Sequence, residues 1–447
     1  MSTTLDPTGH AATPAPPGLL DALSYPLFDS IFDRKSRRVG LGMTVQSDVL
    51  GYRSPYEPVP LGELEEALLA VAATGLTGLN LGDLDPARGM GTLVQWTSRT
   101  WPSSCSSHGT ELFLTNDRGT YLLDMFGLAP EPGELATLSG RSRDDQIERV
   151  LAMYRRALVE LAPGRAPLPT TLPGLFEFNQ WNANRPGTTL FLPVTNTTLE
   201  YINLLFIYLS RSYGFSLVDE MHGGRSAGLA RWVSTGRLDP GRQIGIFELE
   251  QRVLSMLVVE QAFICQNLNL AMQALGLGGW TFTGYIARFV LGGGDVPGLG
   301  FRFAPSRSGA SVPVGLDGRF EAFVPPYHAD MHAAVDAFLE LKRESFERSA
   351  AKPHLAPDRV VDAVPRASAT TIEMVKAYCQ YVHDTYGRFP AHVDPMYQRL
   401  SCQAQHADPD FYAAHYPPGA LTDQHLDHFR RWHPELAGPD GGPPRAA

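Results

Sequence analysis

Cysteine, positive net charge and long apolar runs are all scarce in this chain of 447 residues. Its four cysteines (Cys105, Cys265, Cys379 and Cys402) are too few and too scattered for a disulfide framework, which favours a reducing compartment. A formal net charge of -10 argues against a general nucleic-acid binder, since such proteins normally have a basic face. The most apolar window, residues 199–210, is far shorter than the roughly 20 residues of a membrane span. With no secretory signal at the N-terminus, these absences predict a cytoplasmic protein that binds neither nucleic acid nor membrane.

The familiar nucleotide and zinc signatures are absent as well. The stretch LGGGDVPGLG (291–300) lacks the Gly-X-Gly-X-X-Gly spacing of a dinucleotide fold, and no Gly-Lys-Ser/Thr loop occurs. There are no closely spaced cysteine pairs and no His-Glu-X-X-His string, so we assign no metal site from the sequence. The string GRSAG around Ser226 does match the nucleophile elbow of serine hydrolases, but the strand and helix that should flank it are weak.

Apolar spacing predicts several regular elements. Helices are indicated at residues 60–75, 144–162, 197–214 and 247–279, the last of which could be two helices in series. The turn NDRG between ELFLT and TYLLD predicts a β-hairpin, because Asn, Asp and Gly tolerate the turn dihedrals. The Pro-rich ends read as disordered tails, and the chain becomes helical and His-rich after about residue 328.

A basic stretch, FDRKSRRVG (32–40), stands out in this acidic chain. A phosphate dianion needs several charge-assisted donors from a short segment, and arginine can offer a bidentate fork. Four residues of the stretch are therefore candidate phosphate ligands: Arg34, Lys35, Ser36 and Arg38. A solvated basic turn is the alternative interpretation.

Two further stretches contain candidate binding groups. The first is the loop TWPSSCSSHG, whose candidates are Pro102, Ser103, Ser104 and Ser107. The second is the helix end AMQALGLGGW, where glycine lets the backbone approach a ligand without a Cβ in the way. A plain Ser-rich loop and a helix C-cap are the alternatives.

In this order, the three stretches resemble the nitroreductase-like flavoprotein family, and most closely its SagB-type dehydrogenase branch. The resemblance covers roughly residues 25–320, although residues 126–246 do not fit the family pattern. It implies that the basic stretch receives the phosphate of FMN and that the Pro-Ser loop lies along the flavin. It also implies that the backbone of Gly278, Gly279 and Trp280 passes close to flavin N5 and O4, where buried N–H groups support negative charge. The family's late basic phosphate ligand is unassigned among Arg302, Arg307 and Arg319.

The resemblance implies an α+β fold with a nitroreductase-like FMN-binding domain at 25–325, built on a central mixed or antiparallel sheet flanked by helices. A His-rich helical extension at 326–435 would follow, with disordered tails at 1–24 and 436–447. The implied activity is FMN-dependent hydride transfer through flavin N5, to or from a small organic substrate, with NAD(P)H as a donor. Solvent can supply protons, so no catalytic side chain is named. A homodimer is also implied, and the apolar helix at 253–272 supports it.

Two other classes stay open. The chain could be a flavin-free relative that serves as a binding or scaffold protein. It could also be a metal-dependent enzyme, because two Cys/His pairs have i,i+4 spacing and one His/His pair has i,i+3 spacing, which puts both ligands on one helix face. These pairs are Cys379/His383, Cys402/His406 and His425/His428, within a set that also includes His392, His415 and His433.

Overall fold

The computed structural model describes residues 16–128, 142–348 and 354–446. The fold is mixed α and β within these residues. The α-helices are α1 (Gly18–Ser24), α2 (Leu27–Asp33), α3 (Glu63–Thr74), α4 (Arg143–Ala157), α5 (Glu177–Gln180), α6 (Thr197–Tyr208), α7 (Ala230–Ser234), α8 (Ile246–Leu275), α9 (Ala287–Leu291), α10 (Met331–Arg348), α11 (Pro357–Ala363), α12 (Ala369–Tyr386), α13 (Pro409–His415), α14 (Asp423–Leu426) and α15 (His428–Trp432). The strands are β1 (Thr44–Val45), β2 (Tyr52–Arg53), β3 (Leu76–Leu79), β4 (Thr97–Arg99), β5 (Thr110–Thr115), β6 (Gly119–Leu123), β7 (Leu158–Pro163), β8 (Thr189–Asn196), β9 (Phe215–Asp219), β10 (Arg225–Ser226), β11 (Asp239–Gly245), β12 (Gly278–Phe282), β13 (Arg302–Pro305), β14 (Ser311–Leu316), β15 (Phe320–Glu321), β16 (Met396–Tyr397) and β17 (Ser401–Gln405).

The largest sheet has seven strands, in the order β12-β17-β8-β5-β6-β7, with β16 also paired to β8. All of its neighbouring strands are antiparallel. Strands β5 and β6 form the predicted hairpin around NDRG, with Thr115 opposite Thr120. The predictions of a mixed α and β fold and of this hairpin are therefore confirmed.

Neighbouring residues of a strand point to opposite sides of the sheet. Every residue of the central strands β5 and β8 is buried, so both faces of the sheet are covered there. In β8, Leu190 and Leu192 belong to a cluster that includes residues of α6 and α12, whereas Phe191 packs with residues of α3 and α4. Helix α8 contributes side chains to both clusters. The sheet thus separates two apolar layers, and α8 spans them.

Helix α8 is one continuous helix of 30 residues, not two in series. It is the one helix in the described part of the chain with the length and apolar composition for a membrane crossing, at a mean hydropathy of 1.3. Within that window, 44 % of the residues are buried inside the fold, and core helices of soluble proteins meet the same criterion. Buried carboxylates at Glu250 and Glu260 lie on the same helix.

The C-terminal region differs from the predicted helical extension. Strand β17 lies between β12 and β8 in the central sheet, and β16 pairs with β8 as well. Residues on both sides of the predicted boundary at 325/326 therefore share one core. Helix α1 also lies inside the predicted disordered tail of residues 1–24, because Leu19 is fully buried near Trp432. Residues 1–15 are outside the described part of the chain.

The predicted helix at 144–162 is shorter in the structure. Helix α4 ends at Ala157 and the chain continues directly as β7, which pairs with β6 from Leu123 to Gly119. The sequence LVELAP has apolar residues that also suit a helix, and the pairing with β6 decides the outcome. The predicted helices at 60–75 and 197–214 are confirmed as α3 and α6, with later starts or earlier ends.

Candidate functional site

A short antiparallel contact joins the basic stretch to the chain after α8. Arg37 pairs with Gly279, and the Arg37 N–H donates to the Gly279 carbonyl at 3.0 Å. The basic stretch therefore runs beside β12. Two of the three predicted binding segments, 34–38 and 278–280, are neighbours in the structure.

Arg37 anchors this contact and was not among the predicted ligands. Its side chain is 2 % exposed, with Nη1 donating to Oε1 of Gln273 at 2.9 Å and Nε donating to the Ala420 carbonyl at 2.8 Å. Burial lowers the pKa of Arg37. Because its donors are already bonded, Arg37 holds the segment in place and leaves ligand binding to its neighbours.

A cavity of about 630 Å³ opens beside the basic stretch. Pockets for small ligands and cofactors are typically about 300–1,000 Å³. One side of the cavity is formed by Lys35, Ser36, Arg37 and Arg38. The facing aromatic residues are Trp181, Phe411, Tyr412 and Tyr416. The cavity thus combines a cationic end with a broad aromatic wall.

Helix α13 sets the position of this wall. Asp408 caps the helix by accepting the Phe411 N–H at 2.9 Å, and Pro409 occupies the first helical position. The Tyr412 hydroxyl then accepts the Val39 N–H at 3.3 Å, which ties the wall to the basic stretch. Burial raises the pKa of Tyr412, so its hydroxyl stays protonated and can donate a hydrogen bond.

The cations at the cavity are available to a ligand. Arg34, Lys35 and Arg38 are exposed, and none of them forms an ion pair with the part of the chain that the structure describes. Arg34 and Lys35 also line a narrow recess with Gln273 and Gly279. An anion here would meet several cations that are not neutralised by carboxylates.

Gly278, Gly279 and Trp280 lie in β12, where they pair with Gln405, Ala404 and Gln403 of β17. A Cβ on Gly279 would lie 2.2 Å from the Gln403 carbonyl, so close packing of β12 on β17 requires glycine there. The Trp280 side chain is fully buried in the core and does not line the cavity. Gly279 therefore does allow another group to approach the backbone closely, but that group is strand β17 and not a ligand.

The Pro-Ser loop lies elsewhere along α8. Oγ of Ser103 donates to Oε1 of Glu260 at 2.6 Å, and Oγ1 of Thr110 donates to Oε2 at 2.6 Å. Ser107 is fully buried and 3.4 Å from Oε1. Glu260 precedes Gln273 by 13 residues, about 20 Å along a helix. Within one chain, the structure does not bring Pro102, Ser103, Ser104 and Ser107 to the cavity.

Beside this loop is a buried polar cluster that the sequence did not predict. Cys105 and His108 have left-handed backbone at φ 52° and 43°, which is uncommon outside glycine. Burial raises the pKa of Glu200 to about 8 and lowers that of Lys342 to about 8. The Lys342 ammonium donates to Oδ1 of Asn203 at 3.1 Å. His108, Glu200 and Asn203 are buried, Cys105 and Lys342 are partly buried, and none of these residues lines the cavity.

The remaining candidate residues, the three late arginines and Ser226, lie away from the cavity at the basic stretch. Arg302 and His383 line a different cavity of about 390 Å³, and none of the three late arginines (Arg302, Arg307, Arg319) lines the cavity at the basic stretch. The Ser226 hydroxyl has no hydrogen bond in the described residues, and the nearby His222 ring bonds Asp219 at 2.8 Å. A Ser-His pair is therefore not formed.

The predicted Cys/His pairs do not assemble as pairs. Cys379 and Cys402 are fully buried in the two apolar layers. Three histidines instead meet around one carboxylate of α3, which the sequence gave no reason to include. These four residues are Glu65, His406, His428 and His433.

Comparison with known proteins provides little guidance. No protein-family model matches the chain, and no curated protein is significantly similar to it. Among solved structures, a protein of Ralstonia eutropha JMP134 that is provisionally described as a nitroreductase is similar over 60 % of this chain and 73 % of its own, at 13 % identity and a TM-score of 0.28. That likeness is too weak to support an argument about fold or activity. Functional inference therefore rests on the site.

Proposed function

We propose that this protein is an FMN-dependent oxidoreductase of the nitroreductase type that acts on a small organic molecule, with NAD(P)H as electron donor. The observation that carries the proposal is the cavity of about 630 Å³ with unneutralised cations at one end and aromatic rings along a wall. FMN has matching parts, a phosphate dianion and a planar ring. When bound, FMN would supply hydride transfer at flavin N5.

The residues of the cavity fit the two ends of such a ligand. Lys35, Ser36 and Arg38 line the cavity, and Arg34 lines the narrow recess that shares Lys35 with it. These four residues offer charge-assisted donors for a phosphate. Trp181 and Tyr412 offer apolar area and π-faces to a flat ring. Residues 417–420 line the same space. The predicted contacts from the Pro-Ser loop and from 278–280 are not needed for this fit.

We further propose a homodimer. Several apolar side chains are exposed, including Phe28 at 66 % and Phe32 at 76 % on α2, which precedes the basic stretch, and Phe263 at 39 % on α8. Burying them against a second copy would remove apolar area from water. In the resembled family the flavin site is built across such a dimer, which would allow the partner's Pro-Ser loop to contribute.

The test compares FMN with riboflavin, which has the same ring system but no phosphate. Binding is followed by quenching of tryptophan fluorescence and by flavin released on denaturation. We expect FMN to bind about 100-fold more tightly, because two charge-assisted contacts to the phosphate each contribute about 1.5 kcal/mol. The FMN-loaded protein should then oxidise NAD(P)H in the presence of a nitroaromatic or quinone acceptor.

The outcomes distinguish the alternatives. Equal affinity for FMN and riboflavin would contradict the phosphate role of the basic stretch. Binding of FMN without NAD(P)H oxidation by any acceptor would favour the binding-protein alternative over the oxidoreductase. A protein that binds neither flavin would exclude both the cofactor and the activity.

A further inference from the structure

Four potential metal ligands from distant parts of the chain converge next to the end of β17. Glu65 lies in the first turn of α3, His406 follows β17, His428 begins α15 and His433 follows it. Their ligand atoms all lie within 4.8 Å of one another. Oε1 of Glu65 is 3.5 Å from Nε2 of His406, 2.9 Å from Nε2 of His428 and 3.2 Å from Nε2 of His433.

Backbone carbonyls fix the ring orientations of two of the histidines, His406 and His428. Nδ1 of His406 is 2.9 Å from the Val59 carbonyl, and Nδ1 of His428 is 2.9 Å from the Leu275 carbonyl. A carbonyl oxygen only accepts, so each Nδ1 must carry the proton. Nε2 of each ring then presents its lone pair to the centre of the cluster. Backbone carbonyls behind metal-bound histidines orient the ligand in the same way.

Hydrogen bonding does not account for these two nitrogens. Nε2 of His406 and Nε2 of His428 are buried and have no hydrogen-bond partner in the described residues. Nε2 of His428 lies only 2.9 Å from Oε1 of Glu65 without the alignment of a hydrogen bond. Lone pairs that face a carboxylate oxygen at this distance repel each other. A cation at their centre turns the repulsion into coordination.

The spacing suits zinc. Bonds of about 2.0–2.1 Å to imidazole and carboxylate place tetrahedral ligand atoms about 3.3 Å apart. The three distances from Oε1 lie between 2.9 and 3.5 Å, on either side of that value. Three imidazoles and one carboxylate complete four-fold coordination, with no position left for a substrate. Sites closed in this way are structural.

We propose that Glu65, His406, His428 and His433 bind one structural Zn²⁺ ion. The ion joins the start of α3, the end of β17 and α15. It also fixes both ends of segment 406–428, and this segment contributes Phe411, Tyr412 and Tyr416 to the aromatic wall of the cavity. The proposal does not depend on the identity of the ligand in that cavity.

The second carboxylate oxygen of Glu65 supports the same arrangement. Oε2 accepts the Gly62 N–H at 2.6 Å, which caps α3 and holds the side chain with Oε1 toward the histidines. The site is largely sheltered from solvent, with side-chain exposures of 1 % for Glu65, 1 % for His406, 3 % for His428 and 12 % for His433. A zinc ion here would exchange slowly and survive purification.

The experiment measures zinc in the full-length, untagged protein by mass spectrometry after dialysis. We expect about one zinc per chain, and a loss of most of it in His433→Gln, whose side chain is the most exposed of the four. His383→Gln is the matched control, since that histidine lies in the other cavity, and it should retain full zinc. Circular dichroism checks that the variants are folded.

Cobalt provides a readout that needs no variant. Protein stripped of metal and loaded with Co²⁺ should show the intense visible bands of tetrahedral cobalt, and zinc should displace them. A chelator should lower the melting temperature of the wild type, because metal binding is linked to folding. Retention of well below one zinc per chain after incubation with excess zinc would overturn the proposal. Equal zinc loss in His383→Gln and His433→Gln would overturn it as well.

Discussion

The middle and the C-terminal end of α8 both border segments that the sequence predicted to bind a ligand. At the end of the helix, Gln273 binds Arg37, and the cations on either side of Arg37 remain exposed to the cavity. At the middle, Glu260 receives hydrogen bonds from Ser103 and Thr110, and it is 1 % exposed. The polar groups near the end of the helix are exposed to a ligand, whereas those near its middle are hydrogen-bonded to one another inside the core.

The difference shows that residue type alone does not define a binding site. A hydroxyl that donates to a buried carboxylate has no free proton for a ligand, although its sequence context favours binding. A cation without a carboxylate partner must be solvated or bind an anion. Within one chain, the Pro-Ser loop is therefore a structural element, and the basic stretch is the better candidate for ligand recognition.

The largest effect is expected at the middle of the helix. Glu260→Ala leaves the hydroxyls of Ser103 and Thr110 without their acceptor and creates a void in the core. We expect the free energy of unfolding to fall by about 4 kcal/mol, measured by chemical denaturation. Flavin binding, corrected for the folded fraction, should be unchanged.

Glu248→Ala on the same helix is the control. Glu248 is exposed and forms an i,i+4 ion pair with Arg252, so its loss should cost no more than about 0.5 kcal/mol. If the two variants lose similar amounts of stability, the Glu260 cluster is not the structural element described above.

The next effect is expected at the cavity. The double substitution Arg34→Ala and Arg38→Ala removes two exposed donors, so FMN affinity should fall by about 100-fold with little change in stability. Ser103→Ala should change that affinity less than about twofold, because its hydroxyl is bonded to Glu260. A comparable loss in Ser103→Ala would instead place the Pro-Ser loop at the ligand, contributed by a second chain.

Local elements of the fold could be predicted from the sequence. The NDRG hairpin and helices α3 and α8 follow from turn chemistry and 3.6-residue spacing, which act within a few residues. The position of β17 could not be predicted, because the pairing of residues 401–405 with both β12 and β8 depends on contacts far along the chain. Residues 158–163 were predicted as helix for the same reason, because only their pairing with β6 shows that they form a strand.

The candidate site shows the same limit. The basic stretch was recognisable because its cations are contiguous in the sequence. The aromatic wall was not recognisable, since Trp181 and Tyr412 meet only in three dimensions. Glu65 was missed for a related reason, because a glutamate in the first turn of a helix normally serves the helix itself.

The smallest effect, a pH dependence of stability, tests the middle of α8 without disrupting its packing. Burial raises the pKa of Glu260 from 4.5 to about 7. A carboxyl group with a raised pKa binds its proton more tightly in the folded state, so its contribution to stability is present below about pH 4.5 and is lost as the pH rises through about 7. For Glu260 alone this loss is about 2.5 kcal/mol between about pH 5 and about pH 8.

Glu260→Gln isolates that contribution, because the amide has the shape of the protonated acid and does not titrate. Glu250, whose pKa burial also raises to about 7, affects both proteins equally. Wild type should therefore lose more unfolding free energy than Glu260→Gln as the pH is raised, and most of the difference should develop between about pH 4.5 and about pH 7. Parallel pH profiles would mean that Glu260 is ionised throughout. In that case the hydroxyls of Ser103 and Thr110 stabilise a buried charge, and the loop is held more firmly than a neutral hydrogen-bond network would hold it.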